Sequence, residues 1–205
     1  NPSLLMLPDQ QARFIGQHLG PAFKMAGIQT KIIVYDHNAD RPDYPITVLS
    51  DPKANPYIDG SAFHLYGGQI EALSEVHRAF PDKHIYFTEQ WVGSPGDMEG
   101  DIAWHIKNLI IGAPKNWAKT VLEWNLSSNL ELTPHTDRGG CDRCLGAITI
   151  DGDAVTRNPA YYVIAHASKF VDAGALRIDS NELEGLPNVA FLNSDGKKVL
   201  IALND

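Results

Sequence analysis

The sequence predicts an α/β fold in which four strand-then-helix units follow one another and a small β-module comes after them. Two observations carry this prediction. The strand segments are almost entirely apolar, which is typical of parallel strands covered by helices. The segments between them place apolar residues three or four positions apart, which indicates amphipathic helices. A chain of 205 residues has room for one domain or a little more.

The predicted elements alternate along the first 170 residues. The chain opens with a helix that begins at Pro8 and Asp9 and ends at Gly27, as the capping preferences of these residues favour. The further predicted strands are Lys31–Tyr35, Ser61–Tyr66, His84–Glu89 and Thr120–Leu126. The further predicted helices are Pro45–Asp51, Gln69–Phe80, Gly100–Ile111 and Asn158–Phe170, and a long polar loop is predicted from Ser127 to about Gly146.

The pattern changes after residue 174. Short strands are predicted at Ala175–Ile178, Val189–Leu192 and Val199–Leu203, with a hairpin turn at Asn193–Gly196. We therefore expect an α/β part over residues 1–173 and the beginning of a β-domain, incomplete within this chain, over residues 174–205.

Net charge and the length of the apolar runs argue against a nucleic-acid-binding protein and against a membrane-spanning one. The net charge of −8 disfavours a nucleic-acid surface, which needs a basic stripe to neutralise phosphates. We find no apolar run of the roughly 18 residues that a membrane span requires. No nucleic-acid partner and no membrane span are expected.

The two cysteines lie in the segment GGCDRC, as Cys141 and Cys144. A zinc site would need four ligands, and only His135 is close in sequence. A thioredoxin-like motif would open a helix after a strand, whereas this pair lies in a Gly-rich, charged loop. The pair is read as a small loop disulfide of an exported protein, or as two thiols, with the disulfide favoured.

Polar and aromatic side chains gather where the predicted strands end. These residues are Asp36, His37 and Asn38 after the first strand, His64 and Tyr66 on the second, Glu89 and Trp91 on the third, and Trp124 and Asn125 on the fourth. In α/β barrels the reaction site is built at the carboxyl ends of the strands. These residues are therefore the candidate site.

Glu89 is the central candidate. A carboxylate among Trp91, Trp124 and Tyr66 suits a sugar, because an oxocarbenium-like transition state needs a carboxylate beneath the anomeric carbon. The plainer interpretation is a strand-end glutamate in a salt bridge. Glycoside hydrolysis needs a second carboxylate, and Glu123 fits poorly because alternation on a strand turns it away if Trp124 faces the site. We expect Glu123 to be buried against a cation, and Asp36 to belong to a hydrogen-bond network with its neighbours.

Five segments in this order resemble glycoside hydrolase family 30: GSAFHLY, HIYFTEQWVG, TVLEWNLSSN, NPAYYVIAHASKF and VAFLNSDGKKVLIALND. The resemblance covers essentially the whole chain. It implies a (β/α)8 TIM barrel with a side β-sandwich and hydrolysis of β-glycosides with retention. It places this chain as strands five to eight of the barrel followed by part of the sandwich.

The resemblance also implies residue roles. Glu89 falls on the catalytic nucleophile, His64 and Tyr66 fall on residues that line the sugar pocket, and Trp124 falls on the aromatic that stacks on the sugar. The acid/base of the family belongs to an Asn-Glu-Pro motif that this sequence lacks. We expect it upstream of Asn1, so that the N-terminal half of the same enzyme is required.

The substrate expected from the resemblance is a β-glucan, above all a β-1,6-glucan, or a related β-glucoside. A glucosylceramidase-type activity is the first alternative, disfavoured because Leu65 stands where those enzymes carry Trp. A non-catalytic carbohydrate-binding barrel is the second. A metal-dependent hydrolase using Asp36, His37 and His64 is a further rival. No metal or organic cofactor is expected, and the location implied is secreted or periplasmic.

Overall fold

The computed structural model describes residues 5–181 and 183–205. The helices are α1 (Pro8–Phe14), α2 (Gly20–Ala26), α3 (Asp43–Ser50), α4 (Ala72–Ala79), α5 (Met98–His105), α6 (Gly112–Lys115) and α7 (Pro159–Ser168), with π-helical turns at Ile15–Leu19 and Ile106–Ile111 and a 3-10 turn at Asn55–Tyr57. The strands are β1 (Ile32–Ala39), β2 (Ile58–Gly68), β3 (His84–Glu89), β4 (Val92–Gly93), β5 (Ala118–Val121), β6 (Ser127–Ser128), β7 (Cys144–Leu145), β8 (Ile148–Asp151), β9 (Ala154–Arg157), β10 (Leu176–Ile178), β11 (Asn188–Leu192) and β12 (Lys198–Ala202).

The chain forms two compact units. Among the described residues, the first contains residues 5–88 together with Asn116–Thr120, and the second contains Glu89–Lys115 and residues 121–205 apart from residue 182. These units differ from the domains predicted from the sequence, which divide where the α/β pattern changes to a β pattern, between residues 173 and 174. That division stays a prediction.

The first unit is built on a four-stranded sheet in the order β1-β2-β3-β5, the order of the strands in the chain. Strands β1 and β2 pair in parallel. Val34 of β1, Phe63 of β2 and Phe87 of β3 are buried, and so are Leu73 and Val76 of α4. Apolar, mostly β-branched or aromatic residues on each strand therefore form the core that covers one face of the sheet.

Gly60 lets β2 and β3 approach closely. A Cβ atom at this position would lie 2.1 Å from the carbonyl oxygen of His84, which is far inside van der Waals contact. The close approach of β2 to β3 therefore requires glycine at position 60.

The second unit contains an antiparallel sheet in the order β10-β11-β12. Val189 and Ile201, which face each other in β11 and β12, pack with Ile106, Ile110 and Val163 from the helical segments. The hairpin turn predicted at Asn193–Gly196 is present, with Gly196 donating its N–H to the Asn193 carbonyl and taking a φ of 83°.

The predicted elements are observed with two corrections. The strand predicted over Thr120–Leu126 was wrong in length, because β5 ends at Val121 and the chain beyond it bonds to other segments. The region predicted as loop contains the two-residue strands β6 and β7, and the β8–β9 hairpin after it was missed. Strands of two to four residues carry too few alternating positions to be distinguished from loop in the sequence.

Among the described helices, none combines the length and the apolar character needed to cross a membrane.

Candidate active site

The end of β1 has an unusual backbone. Tyr35 and Asp36 both have positive φ values, 75° and 60°, and the register with β2 shifts at this point. Non-glycine residues seldom adopt this region, and each such residue costs on the order of 1–3 kcal/mol. Tyr35 is held by its hydroxyl, which donates to the Asn38 carbonyl at 2.5 Å, and by an edge contact with Phe63. The surrounding structure therefore fixes the conformation that presents the Asp36 side chain.

The Asp36 carboxylate binds two neighbours through one oxygen. Its Oδ1 lies 3.1 Å from Nε2 of His64 and 2.7 Å from Oγ1 of Thr88. The hydrogen bond from His64, with help from Thr88, lowers the pKa of Asp36 below its ordinary value. An ionised carboxylate can only accept, so Nε2 of His64 carries the proton in this bond.

His64 and Tyr66 lie on the same side of β2. Their rings meet edge to face with centroids 6.0 Å apart, as expected for residues two positions apart on a strand. Tyr66 is 43% exposed. The first unit thus brings together Asp36, His64 and Tyr66, three of the residues that the sequence predicted for the site.

Glu89 is the last residue of β3 and the first residue of the second unit. The residue before it, Thr88, is tied to Asp36 by its hydroxyl, which also lies 3.4 Å from the Phe63 carbonyl oxygen. The backbone that leads into Glu89 is therefore anchored to both β1 and β2. Sequence reasoning missed Thr88, although its position directly before the candidate carboxylate was a usable signal.

Trp91, Trp124 and Asn125 come together in the second unit. Trp91 and Trp124 form an isolated parallel bridge, and the N–H of Trp124 donates to the Gln90 carbonyl at 2.6 Å. The peptide bond between Trp124 and Asn125 is cis. On the other side, the Asn125 carbonyl accepts from the N–H of Ala147 at 2.8 Å. The backbone of Trp124 is thus held beside Gln90 and Trp91, the two residues that follow Glu89.

The Asn125 side chain leaves a polar atom unsatisfied. Its Oδ1 is buried and has no hydrogen-bond partner among the described residues. A buried amide oxygen without a partner costs free energy comparable to a lost hydrogen bond.

Glu123 lies outside this arrangement, as the sequence predicted. Its side chain is 3% exposed, and its Oε1 lies 2.7 Å from Nδ1 of His105, whose side chain is 5% exposed. Burial raises the pKa of Glu123, and the hydrogen bond with His105 counteracts part of that rise. The burial predicted for Glu123 is confirmed, and its partner in the structure is the imidazole of His105.

Cys141 and Cys144 form a disulfide, three positions apart in the chain. Strand β7, which begins at Cys144, pairs with β4, so Gly93 faces Cys144 and Val92 faces Leu145. The N–H of Ser94 also donates to the Arg143 carbonyl at 2.8 Å. The disulfide loop is therefore attached to the segment that follows Trp91.

The described residues contain no group of three or more His, Cys, Asp or Glu side chains placed to hold a metal ion. Asp36 and His64, two residues of the metal-site alternative, are bonded to each other, and His37 contributes an edge contact to the His64 ring at 6.3 Å.

Two family models match the chain. The glycosyl hydrolase family 30 TIM-barrel domain matches residues 2–171, and the glycosyl hydrolase family 30 beta sandwich domain matches residues 174–205. The chain belongs to glycosyl hydrolase family 30. The predicted fold, the C-terminal half of a (β/α)8 barrel followed by part of a β-sandwich, is confirmed.

Individual proteins that are similar to this family 30 chain include a glucanase and a glucosylceramidase. Endo-1,6-beta-D-glucanase neg1 of Aspergillus fumigatus is 35% identical over 99% of this chain and 42% of its own length. Lysosomal acid glucosylceramidase of Mus musculus is 31% identical over 96% of this chain and 41% of its own.

A solved structure, the endo-beta1,6-glucanase BT3312, superposes with a TM-score of 0.91 at 35% identity. The match covers 99% of this chain and 48% of that one. The family 30 chain therefore spans less than half the length of each of these three proteins.

Proposed function

We propose that the protein to which this chain belongs is a retaining β-glycoside hydrolase with Glu89 as its nucleophile. The observation that carries the proposal is the position of Glu89 at the end of β3, directly after a residue that is hydrogen-bonded to Asp36. A nucleophile must be held in a defined place, and this anchoring provides that. Family membership supports the assignment of the chemistry.

The proposed reaction is a double displacement. A carboxylate oxygen of Glu89 attacks the anomeric carbon while the bond to the leaving oxygen breaks, and an acid protonates that oxygen. We propose that this acid is a glutamate upstream of Asn1. The same residue, now a base, takes a proton from water, which attacks the anomeric carbon and releases both the sugar and Glu89.

The other candidate residues have proposed roles in binding. Trp91 and Trp124 offer ring faces for the C–H surface of a pyranose. The side-chain amide of Asn125 is proposed to bond a sugar hydroxyl, and the exposed Tyr66 contributes a further aromatic surface. His64, oriented by its hydrogen bond to Asp36, lines the sugar pocket.

The substrate that we propose is a β-1,6-glucan or a related β-glucoside. Two of the relatives described above are named as endo-1,6-glucanases, and the family resemblance implies that Leu65 stands where glucosylceramidases carry Trp. A glucosylceramide-type substrate is the second candidate, because the mouse glucosylceramidase is nearly as similar. Secretion or a periplasmic location fits the Cys141–Cys144 disulfide, since such bonds persist in oxidising compartments.

A trapping experiment tests the proposal. The full-length protein is treated with a 2-deoxy-2-fluoro-β-glucoside that carries a good leaving group, and its peptides are examined by mass spectrometry. The expected result is a covalent sugar on the peptide that contains Glu89. A Glu89→Gln variant should take no label, whereas the matched control Glu131→Gln, at an exposed glutamate, should be labelled like the parent.

Two outcomes contradict the proposal. A label on another carboxylate would assign the nucleophile elsewhere. A protein that binds β-1,6-glucan but neither hydrolyses it nor accepts a label would support the non-catalytic carbohydrate-binding alternative. If hydrolysis is seen with glucosylceramide and not with the glucan, the family chemistry stands and the substrate proposal fails.

A further inference from the structure

Trp117 is an exposed tryptophan in a strained backbone conformation. It lies in the turn between α6 and β5, has a φ of 74°, and is 46% exposed. A turn that needs positive φ is normally occupied by glycine or asparagine, because a Cβ clashes in this region. The positive φ of Trp117 costs conformational free energy. Because the side chain is only partly buried, its packing against the protein offsets only part of this cost.

The Trp117 ring is held in one orientation. It stacks on His77 of α4 with ring centroids 3.9 Å apart and planes inclined by 19°. Burial lowers the pKa of His77, so the imidazole is neutral at physiological pH. The turn itself is attached to the same helix, because the Ser74 hydroxyl donates to Oδ1 of Asn116 at 2.7 Å.

This feature is separate from the candidate active-site residues of the first unit. Trp117 comes directly before the first residue of β5, whereas Asp36 lies in the later part of β1 and His64 and Tyr66 lie in the later part of β2. Ser74 and His77 are on α4, which packs Leu73 and Val76 into the core. None of the interactions described for Asp36, His64 or Tyr66 involves these residues.

We propose that Trp117, supported by His77, is a secondary binding platform for a neutral glycan chain. A preorganised indole presents an electron-rich face to the C–H surface of a pyranose, and its orientation is fixed before binding, which reduces the entropy lost. The net charge of −8 disfavours polyanionic ligands. The inference rests on the proposed function for its choice of ligand, a β-linked glucan, and adds a second point of attachment on the polymer.

The test uses the full-length protein and its Trp117→Gly variant. Glycine suits the positive φ, so this change removes the platform without an added backbone penalty. The matched control is Phe14→Ala, which removes another aromatic residue that is 46% exposed and lies beside a histidine in the same unit. Retention on β-1,6-glucan is measured by affinity electrophoresis, and kcat/KM is measured on a small aryl β-glucoside.

We expect Trp117→Gly to weaken retention about tenfold, the effect of losing roughly one aromatic stacking contact. Its kcat/KM on the aryl glucoside should stay within about twofold of the parent, and Phe14→Ala should change neither quantity. Trp117→Phe should retain part of the binding, because a ring remains.

Unchanged retention in Trp117→Gly would overturn the inference, and so would an equal fall in retention and in aryl-glucoside turnover, which would indicate a structural role. Failure of N-bromosuccinimide to oxidise Trp117 in the folded full-length protein would also contradict it, because the ring would then be inaccessible. The two proposals fail separately. If the parent is retained on glucan through Trp117 but hydrolyses nothing, only the proposed function is contradicted. If the parent is active and Trp117→Gly does not change its retention, only the binding platform is contradicted.

Discussion

Thr88 and Asp36 are joined by a 2.7 Å hydrogen bond between Oγ1 and Oδ1, although 52 positions separate them in the sequence. The bond connects the strained end of β1 to the residue that precedes Glu89. His64 is the third member of this network, and Glu89, the proposed nucleophile, directly follows Thr88 in the chain.

The first prediction concerns the charge of Asp36. Asp36→Asn should lower kcat/KM on an aryl β-glucoside about 10- to 100-fold, because the ionised acceptor that orients His64 and Thr88 is lost. Asparagine tolerates positive φ, and the side chain is exposed, so the free energy of unfolding should change by less than about 1 kcal/mol. Steady-state kinetics and urea unfolding measure the two effects.

The control for that change is Asp153→Asn, which removes an exposed carboxylate from the β8–β9 turn. Equal activity in Asp36→Asn and in the parent would show that the network does not position the nucleophile.

The second prediction concerns the Thr88 hydroxyl. Thr88→Val keeps the shape and the strand preference but removes the donor, so kcat/KM should fall about 5- to 20-fold. Thr88→Ser keeps the donor and should lose at most about threefold. The comparison is made on the same aryl glucoside, and similar losses in the two variants would mean that packing of the methyl group, rather than the bond to Asp36, is what matters.

The third prediction concerns the buried pair of Glu123 and His105. Glu123→Ala should lower the free energy of unfolding by about 3 kcal/mol, because it leaves His105 buried without its partner and opens a cavity. Glu123→Gln should lose less, since an amide keeps one hydrogen bond and carries no buried charge. Urea unfolding at pH 7 measures both, and a larger loss in the Gln variant would contradict the assignment.

The pH dependence of Glu123 gives an additional check. Because burial raises its pKa in the folded state above the unfolded value near 4.5, the native state binds more protons than the unfolded state above that pH. The contribution of this carboxyl to stability therefore falls as pH rises from about 4.5 through the folded-state pKa. Glu123→Gln should lack this component.

The fourth prediction concerns Asp59, at the start of β2. Desolvation raises its pKa, but hydrogen bonds from Tyr86, Lys31 and His84 outweigh desolvation and lower the pKa below 3.8. The contacts are 2.5 Å to Tyr86 Oη, 2.9 Å to Lys31 Nζ and 2.9 Å to His84 Nδ1. A depressed pKa contributes stability that is fully present above pH 4 and is lost as pH falls through the folded-state pKa.

Asp59→Asn should therefore be less stable than the parent at pH 7, and the difference should narrow below about pH 4. Thermal unfolding between pH 2.5 and 7 measures this, with Asp82→Asn, at an exposed position, as the control. A difference that stays constant with pH would mean that shape rather than charge accounts for the effect.

The fifth prediction concerns the disulfide. Replacing Cys141 and Cys144 together by serine should lower the free energy of unfolding by at most about 2 kcal/mol, since the closed loop is very short. The loop is attached to β4, just after Trp91, so the KM for the glucan should rise more than kcat falls. Equal KM values in the variant and the parent would separate this loop from substrate binding.

The sequence predicted the α/β order and the turn at Asn193–Gly196, because each depends on local pattern. It also predicted the burial of Glu123, although the alternation used for that prediction belongs to a strand that ends earlier, at Val121. It also placed Asp36, His64 and Tyr66 in one group, since neighbouring strand ends meet. The positive φ values at Tyr35 and Asp36 and the bond from Thr88 could not be predicted. They arise from packing and hydrogen bonds between residues distant in sequence, which no local pattern encodes.

The backbone at Asp36 also determines which variants the position can accept in an engineering library. With φ at 60°, asparagine and glycine are the conformationally compatible replacements, although both remove the negative charge. Glutamate preserves the charge, but it lacks the short side chain that helps aspartate to tolerate this region. A library built on chemical similarity would therefore rank the substitutions at this position in the reverse of the order in which the fold tolerates them.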